Sequence, residues 1–265
     1  MKYTSPFLVT NLTVILFHSY RTKLHQHWHH HHLVQMMASS SSSSSSTTTK
    51  TVSFSSCSST EPSSASLSIK QAKKKLRSEI DAKLGRLNGN EVERQSEQVH
   101  NKLFALTEFR KATRVGLYLS LPLVEIDTIR ILEHCFANGK QCFVPKYHPK
   151  SRKMDFVQVN SMEDYESLPY EPKWKIKQPD PIEDKRAEAL STGGLDVLLV
   201  PGVAFTPEGL RCGHGMGYFD TWLARCAATK SIQHPITIGL ALTEQIVDDL
   251  PVTDWDIRID RIIAP

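Results

Sequence analysis

The chain contains no Asp or Glu before Glu61, and its first 60 residues carry only scattered positive charge. They also include an unbroken serine run from Ser39 to Ser46. A serine-rich, acid-poor leader is typical of an organelle transit peptide and not of a folding unit. We therefore predict a disordered transit peptide over residues 1–65 and one folded domain over residues 66–265. Met37, followed by Ala38, could serve as an internal start of this leader.

The chain also lacks an apolar stretch long enough to cross a bilayer, which takes about 20 residues. The apolar segment at residues 7–17 is shorter and is interrupted by Thr10, Asn11 and Thr13. The 5 cysteines are odd in number and widely spread, unlike the paired framework of a small secreted protein. These absences predict a protein without membrane association in a reducing compartment.

The domain has little net charge of either sign. Four of the 32 basic residues and one of the 28 acidic residues lie in residues 1–65, so the remainder is nearly neutral. We expect no nucleic-acid partner, because such proteins present a cationic surface to the phosphates. The histidines at positions 25, 27 and 29–32 could bind a transition metal, but low-complexity sequence inside a removable leader is the better interpretation.

Two helices are predicted at the start of the domain. Apolar residues recur at helical spacing between Ile69 and Leu87, and Ser68 with Gln71 has the spacing of a capping box. The first amphipathic helix should therefore begin at Ser68. A second helix is expected from Asn90, which has an acidic residue three positions later. The two helices are predicted to pack as a helical hairpin.

Short apolar runs alternate with helical segments through the rest of the domain. Helices are expected after Asp127, as N-cap, and from Tyr218 to Ala227, and Gly139 should end the first of these. A polar, proline-rich stretch from Lys146 to Ala189 is expected to consist mostly of loops that could cover a site. The alternation predicts an α/β fold with an open, mostly parallel twisted sheet and helices on both faces. The predicted strands are residues 115–119, 142–144, 154–159, 197–200, 236–242 and 257–263.

A glycine-rich loop follows the apolar run Val197 to Val200 and leads directly into a helix. Glycine occupies every second position from Gly213 to Gly217. Glycine lets backbone amides approach an anion closely, and a helix N-terminus adds its dipole. The loop therefore predicts a phosphate site with Arg211 and His214 as side-chain donors. It has neither the Gly-Lys-Ser/Thr ending of a Walker loop nor the glycine spacing of a dinucleotide fingerprint, so a flexible turn is the alternative.

Five segments of the domain match the motifs of one family in the same order along the chain. They are Lys73 to Arg77, Leu119 with Glu125, Ser191 to Asp196, Leu199 to Asp220, and Asp256 with Asp260. In these residues the chain resembles the 5-formyltetrahydrofolate cyclo-ligases, over roughly residues 68–263. The resemblance implies a Rossmann-like α/β fold similar to that of sugar isomerases and CoA-transferases.

The resemblance also implies a reaction. Such an enzyme uses ATP and Mg²⁺ to convert 5-formyltetrahydrofolate irreversibly to 5,10-methenyltetrahydrofolate, with release of ADP and phosphate. ATP would phosphorylate the formyl oxygen to give an N5-iminium phosphate, and the N10 amine would attack the activated carbon as phosphate leaves. An amide-like oxygen leaves poorly until it is phosphorylated, so the site must hold a phosphate in line with that oxygen.

The site residues implied by the resemblance fall into four sets. Without it, the basic cluster that begins at Lys73 would be interpreted as a solvated helix face. The expected ATP-binding residues are Lys73, Lys74, Lys75, Leu76, Arg77, Arg211, Cys212, Gly213, His214, Gly215, Met216, Gly217, Tyr218 and Phe219. The expected substrate-binding residues are Leu119, Glu125, Tyr147, Trp174, His214, Gly215, Met216, Gly217 and Tyr218. Catalytic roles are implied for Arg211, His214 and Tyr218, and magnesium ligands at Asp220 and Asp256.

Two positions depart from the family pattern. Met216 stands where lysine or glycine is common, and Phe219 where tyrosine is common. Two other functions stay open at this point: a non-catalytic folate-binding regulator, and a sugar-phosphate isomerase on a similar fold that would need no ATP. We expect a monomer in the mitochondrion, with the chloroplast as the alternative compartment.

Overall fold

The computed structural model of the protein describes residues 64–148, 151, 153–171 and 176–265. The predicted transit peptide, apart from its last two residues, and Trp174 lie outside the described residues. Within the described ranges no helix combines the length and apolarity that crossing a bilayer would require. The helices are α1 (Ser64–Leu84), α2 (Gly89–Ala105), α3 (Thr107–Lys111), α4 (Ile129–Ala137), α5 (Met162–Glu166) and α6 (Tyr218–Ala228), with 3₁₀ turns at Leu190–Thr192 and Thr243–Gln245.

The strands are β1 (Arg114–Gly116), β2 (Gln141–Tyr147), β3 (Met154–Val159), β4 (Tyr170–Glu171), β5 (Ile176–Lys177), β6 (Val197–Val200), β7 (Ala204–Phe205), β8 (Arg211–Cys212), β9 (Ile236–Leu240) and β10 (Arg261–Ile263). Six of them form one sheet with the order β10-β9-β6-β1-β2-β3. All neighbouring pairs in this sheet are parallel except β2 and β3, which form an antiparallel pair at one edge. The predicted open, mostly parallel sheet is therefore confirmed.

The strand order reverses between β1 and β6, which are adjacent in the sheet. From β1 the chain proceeds to β2 on one side, whereas β9 and β10 lie on the other side of β6. The loops that leave the carboxyl ends of β1 and β6 therefore diverge, and such a crevice is where open α/β sheets bind their ligands. The glycine-rich loop and the segment that contains Glu125 follow these two strands.

Buried aromatic side chains fix α6 against the sheet. Trp222 and Phe219 are both buried on α6, and each packs edge to face against Phe156 of β3, with ring centroids 5.0 Å and 5.9 Å away. All four residues of β6 are buried as well. The N-terminus of α6 is thus held rigidly beside the crevice.

The predicted helix starts were wrong by a few residues. Helix α1 already includes Ser64, so Ser68 does not cap it. Helix α2 begins at Gly89 with Asn88 as N-cap, because the Asn88 side chain accepts a hydrogen bond of 2.8 Å from the amide of Glu91. That pair has the same spacing as the predicted Asn90 pair, two residues earlier. Four residues join α1 to α2, and the two helices pack against the α/β domain, α1 beside β7 and α2 beside β10.

Asp127 was predicted to be the N-cap of α4, but it lies one residue before the cap. The cap position is Thr128, while the Asp127 carboxylate accepts a hydrogen bond from the amide of Ile129. The predicted stop at Gly139 is confirmed by its left-handed φ of 69°.

The last strand is shorter than the predicted 257–263, because residues before it are engaged elsewhere. The amide of Ile259 donates to the carbonyl of Gly209 in the β7–β8 connection, 2.8 Å away. Asp260 accepts hydrogen bonds from both the amide and the hydroxyl of Thr237 on β9. Strand β10 therefore begins only at Arg261.

Candidate active site

The glycine-rich loop presents unpaired backbone amides. Gly215 and Gly217 have positive φ angles of 95° and 70°, and Gly217 is the N-cap of α6 without a side-chain cap. None of the amides of residues 213–220 donates to an acceptor within the described part of the chain. Amides left unpaired at a helix N-terminus favour an anion. The loop is therefore built to accept a phosphate or carboxylate.

Arg211 lies below this loop and is only 6% exposed. Its Nη2 donates to both carboxylate oxygens of Asp220, at 2.7 and 2.8 Å, and its Nη1 donates to the carbonyl of Pro201 at 3.2 Å. Its Nε is buried and has no acceptor among the described residues. This ion pair ties the first turn of α6 to β8 and leaves one buried N–H unsatisfied.

Two cations of α1 face the loop from the opposite side. The Nε of Arg77 donates to the carbonyl of Gly213 at 2.8 Å, and a Cβ on Gly215 would lie 3.3 Å from the Arg77 guanidinium. Lys73, one helical turn earlier, lies 2.5 Å from Asp256. Because these two side chains are four residues apart, they share one face of the helix.

The remaining residues of the predicted α1 motif lie elsewhere. Lys74 and Lys75 are exposed, and Lys75 faces Glu79 at 3.8 Å. Leu76 is partly buried and packs against the core. The structure thus brings Lys73 and Arg77 to the loop and leaves the other two lysines in solvent.

Asp256 is held in a tight turn at the edge of this site. Its Oδ2 accepts hydrogen bonds from Lys73 and from both the amide and the hydroxyl of Thr253, at 2.5, 2.6 and 2.9 Å. Burial alone would raise the pKa of Asp256, but these hydrogen bonds outweigh burial and lower that pKa. The sequence reasoning missed Thr253, although its spacing of three residues from Asp256 is the pattern of a side-chain-capped turn.

Three cations, Arg77, Lys73 and Arg211, lie around the loop, and Lys73 and Arg211 are paired with the carboxylates of Asp256 and Asp220. His214 is an exposed residue of the loop. Desolvation by neighbouring atoms, followed by the positive charges of Arg77 and Arg211, lowers the pKa of His214 to about 4. Burial raises the pKa of the Cys212 thiol, while Arg77, Lys73 and Arg211 oppose that shift. His214 is therefore a neutral hydrogen-bonding group at physiological pH.

A second group of side chains lies on the β1–β2 side of the loop. Glu125 accepts a hydrogen bond of 2.8 Å from the amide of Leu121. Tyr147 packs edge to face against Tyr218, with ring centroids 4.9 Å apart. Desolvation raises the pKa of Tyr147, and the charges of Glu125 and then Tyr218 add to that effect. Glu125, Tyr147 and Tyr218 therefore lie within electrostatic reach of one another.

Some predicted site residues contribute backbone only, or remain outside this geometry. The side chains of Cys212 and Phe219 are buried in the core, so a ligand contact from either side chain is not supported. Leu119 is buried beside the Glu125 segment, whereas Met216 is exposed on the loop surface. Trp174 lies outside the described residues.

Burial raises the pKa of Glu125 to about 7, and the hydrogen bond from Leu121 only partly offsets that effect. Between its ordinary pKa and about 7 the folded state binds more protons than the unfolded state, so the free energy of unfolding should fall as pH rises through this window. Glu125→Gln should remove that dependence and stabilise the protein by about 3 kcal/mol above pH 7. Urea denaturation between pH 5 and 8 measures this.

Glu93→Gln, at an exposed position on α2, controls for the loss of one carboxylate. Equal pH dependence in the wild-type protein and Glu125→Gln would show that Glu125 is not the titrating group.

The sheet and the glycine-rich loop together define an α/β protein whose candidate anion-binding loop lies where the strand order reverses. The model of the 5-formyltetrahydrofolate cyclo-ligase family matches residues 69–265. The chain belongs to this family, whose members are ligases.

Curated relatives agree with this placement. The 5-formyltetrahydrofolate cyclo-ligase of Mus musculus is 38% identical over 199 residues, which cover 75% of this chain and 96% of the mouse protein. The mitochondrial 5-formyltetrahydrofolate cyclo-ligase of Arabidopsis thaliana is 28% identical over 213 residues, covering 75% of this chain and 76% of that protein.

A solved structure has the same fold. The NMR structure of Aquifex aeolicus 5,10-methenyltetrahydrofolate synthetase superposes with a TM-score of 0.56 at 28% sequence identity, covering 72% of this chain and 88% of that chain.

Proposed function

We propose that the protein converts 5-formyltetrahydrofolate to 5,10-methenyltetrahydrofolate in an ATP- and Mg²⁺-dependent reaction that releases ADP and phosphate through a phosphorylated N5-formyl intermediate. The observation that carries the proposal is the row of unpaired amides at residues 213–220, faced by Arg77 on one side and Arg211 on the other. A transferring phosphoryl group needs positioning and compensation of its charge, and this arrangement supplies both.

The position of Glu125 supports a reduced pterin beside the phosphates. Its carboxyl group is desolvated, lies near Tyr147 and Tyr218, and can accept N–H hydrogen bonds from the polar edge of a pterin. The two tyrosines offer ring surface for the pterin. A formyl oxygen held on this side would face the glycine-rich loop, where the γ-phosphate is proposed to lie.

Of the two residues proposed for Mg²⁺, Asp256 fits an ion that is shared with a nucleotide better than Asp220 does, because Asp220 is already paired with Arg211. Both oxygens of Asp220 accept from Arg211, and Asp256 has one oxygen, Oδ1, that accepts no hydrogen bond from the described residues. No group of three or more His, Cys, Asp or Glu able to hold a metal occurs among the described residues. Mg²⁺ is commonly bound by one or two carboxylates together with substrate phosphates and water, and it would neutralise charge on the phosphate oxygens.

The test measures methenyl-product absorbance with the purified full-length protein and 5-formyltetrahydrofolate. We expect product only with ATP and Mg²⁺, and one phosphate released per product. Binding of the folate without turnover would favour a regulator, and consumption of the folate without nucleotide would overturn the proposal. A sugar-phosphate isomerase would also need no ATP, so ATP-dependent product formation would exclude that alternative.

Two adjacent lysines provide a matched pair for the same assay. Lys73→Ala should raise the KM for ATP about tenfold, because a partly buried cation of the proposed nucleotide site is lost beside Asp256. Lys74→Ala, at an exposed position, should change that KM by less than about twofold. Equal effects of the two substitutions would contradict the placement of the nucleotide along α1.

We also propose import into the mitochondrion, directed by residues 1–65. The Arabidopsis relative is named as mitochondrial, and the acid-poor, serine-rich composition of this segment supports import. The monomeric state stays a prediction.

A further inference from the structure

Exposed apolar side chains are concentrated around the proposed nucleotide site. Within the described residues, the large hydrophobic side chains that are exposed are Leu123, Tyr170, Ile182, Met216, Val252 and Trp255. Two of these six, Met216 and Trp255, belong to the segments that border the cationic face of α1, namely the glycine-rich loop and the turn formed by residues 253–256, and Val252 directly precedes that turn. Trp255 is 86% exposed, which leaves most of a large aromatic surface in water.

The turn that contains Trp255 is held firmly in place. Thr253 donates two hydrogen bonds to Asp256, and the amide of Asp256 donates back to the carbonyl of Thr253 at 3.0 Å. Asp256 is in turn paired with Lys73. Trp255 is therefore an exposed indole mounted on a fixed turn, one residue from a carboxylate of the proposed site.

The sheet order places three chemical features in sequence across the crevice. On one side Glu125 follows β1 and Tyr147 is the last residue of β2, and in the middle the glycine-rich loop follows β6. Trp255 lies in the connection between β9 and β10, on the other side. A nucleoside triphosphate has a matching layout, with an anionic chain at one end and a flat aromatic base at the other.

The geometry points to Trp255 as the stacking surface for the purine base of the nucleotide. This inference rests on the proposed function and adds to it the orientation of the bound nucleotide. The γ-phosphate lies towards Glu125 and Tyr147, and the base lies against the turn formed by residues 253–256. Stacking between an aromatic side chain and a base contributes about 1–3 kcal/mol to binding.

The test separates recognition of the base from recognition of the phosphates. Binding of Mg-ATP and of Mg-tripolyphosphate, which lacks a base, is measured calorimetrically for the full-length wild-type protein, Trp255→Ala and Trp255→Phe. We expect Trp255→Ala to weaken ATP binding about tenfold and tripolyphosphate binding less than about twofold. Trp255→Phe, which keeps a ring, should bind ATP within about threefold of the wild-type protein.

Ile182→Ala is the matched control, because Ile182 is 87% exposed but lies outside the two bordering segments. Wild-type ATP binding by Trp255→Ala, or an equal loss of both ligands, would overturn the inference while ATP-dependent turnover by the wild-type protein still upheld the proposed function. A raised KM for 5-formyltetrahydrofolate alone in Trp255→Ala would assign the indole to the folate and also overturn it. A wild-type protein that failed to bind Mg-ATP would refute the proposed function itself.

Discussion

Arg211→Ala is expected to lower kcat by at least about 10²-fold. The Arg211 guanidinium is buried beneath the unpaired amides of residues 213–220, and its Nε lacks an acceptor among the described residues. An anion bound in the loop would meet this charge in a water-poor environment, where electrostatic stabilisation of a transferring phosphoryl group is strongest. The same substitution releases Asp220, whose two oxygens both accept from Arg211. The steady-state rate of methenyl-product formation at saturating ATP and folate measures kcat.

Arg211→Lys should lose more than about tenfold as well, because an ammonium group cannot reproduce the planar fork that spans Asp220 and the Pro201 carbonyl. Far-UV circular dichroism and thermal denaturation report whether either variant has lost its fold.

Arg225 provides the matched control for Arg211. It also lies next to an aspartate, Asp155, and it donates to that carboxylate at 2.9 Å from the C-terminal half of α6. Arg225→Ala should destabilise the junction between α6 and β3 but keep kcat within about threefold. A kcat near the wild-type value in folded Arg211→Ala, or equal losses in the two variants, would contradict the role given to Arg211.

The sheet was predictable where local sequence and burial agree. The bounds of β6 are the predicted ones, because its four apolar residues are all buried and Pro201 follows them. The glycine-rich loop and the start of α6 were also predictable, because the alternating glycines end where the helical pattern begins at Tyr218. The short β10 could not be foreseen, because its length depends on the contact between Ile259 and Gly209, which are far apart in the chain.

The identities of most site residues could be predicted from the sequence, but their contacts and pKa values could not. Helical periodicity places Lys73 and Arg77 on one face of α1, but only the partner Asp256, 183 residues away, shows that Lys73 is in the site and that its neighbours are not. The pKa of Glu125 depends on burial created by packing of distant segments, so no local pattern reports it. The family resemblance identified these residues, and long-range contacts show which of them lie at the site.

Gly209→Ala is expected to lower the free energy of unfolding by at least about 3 kcal/mol, the scale of backbone strain combined with a direct clash. Gly209 has a φ of 89°, and a Cβ at this position would lie 2.1 Å from the carbonyl oxygen of Ile259. The hydrogen bond from Ile259 to Gly209 would break as the two segments separated. Thermal denaturation should show a Tm lower by about 6–12 °C for a domain of this size.

Gly139→Ala isolates the cost of the backbone conformation. Gly139 also has a left-handed φ, 69°, but a Cβ there would meet no atom within 4 Å. It should therefore cost only about 1 kcal/mol. Because the segment displaced in Gly209→Ala leads back to Asp256, that variant should also bind Mg-ATP more weakly at temperatures where it remains folded, whereas Gly139→Ala should bind like the wild-type protein. Equal stability losses in the two variants would mean that the contact between Gly209 and Ile259 does not anchor the turn that carries Asp256.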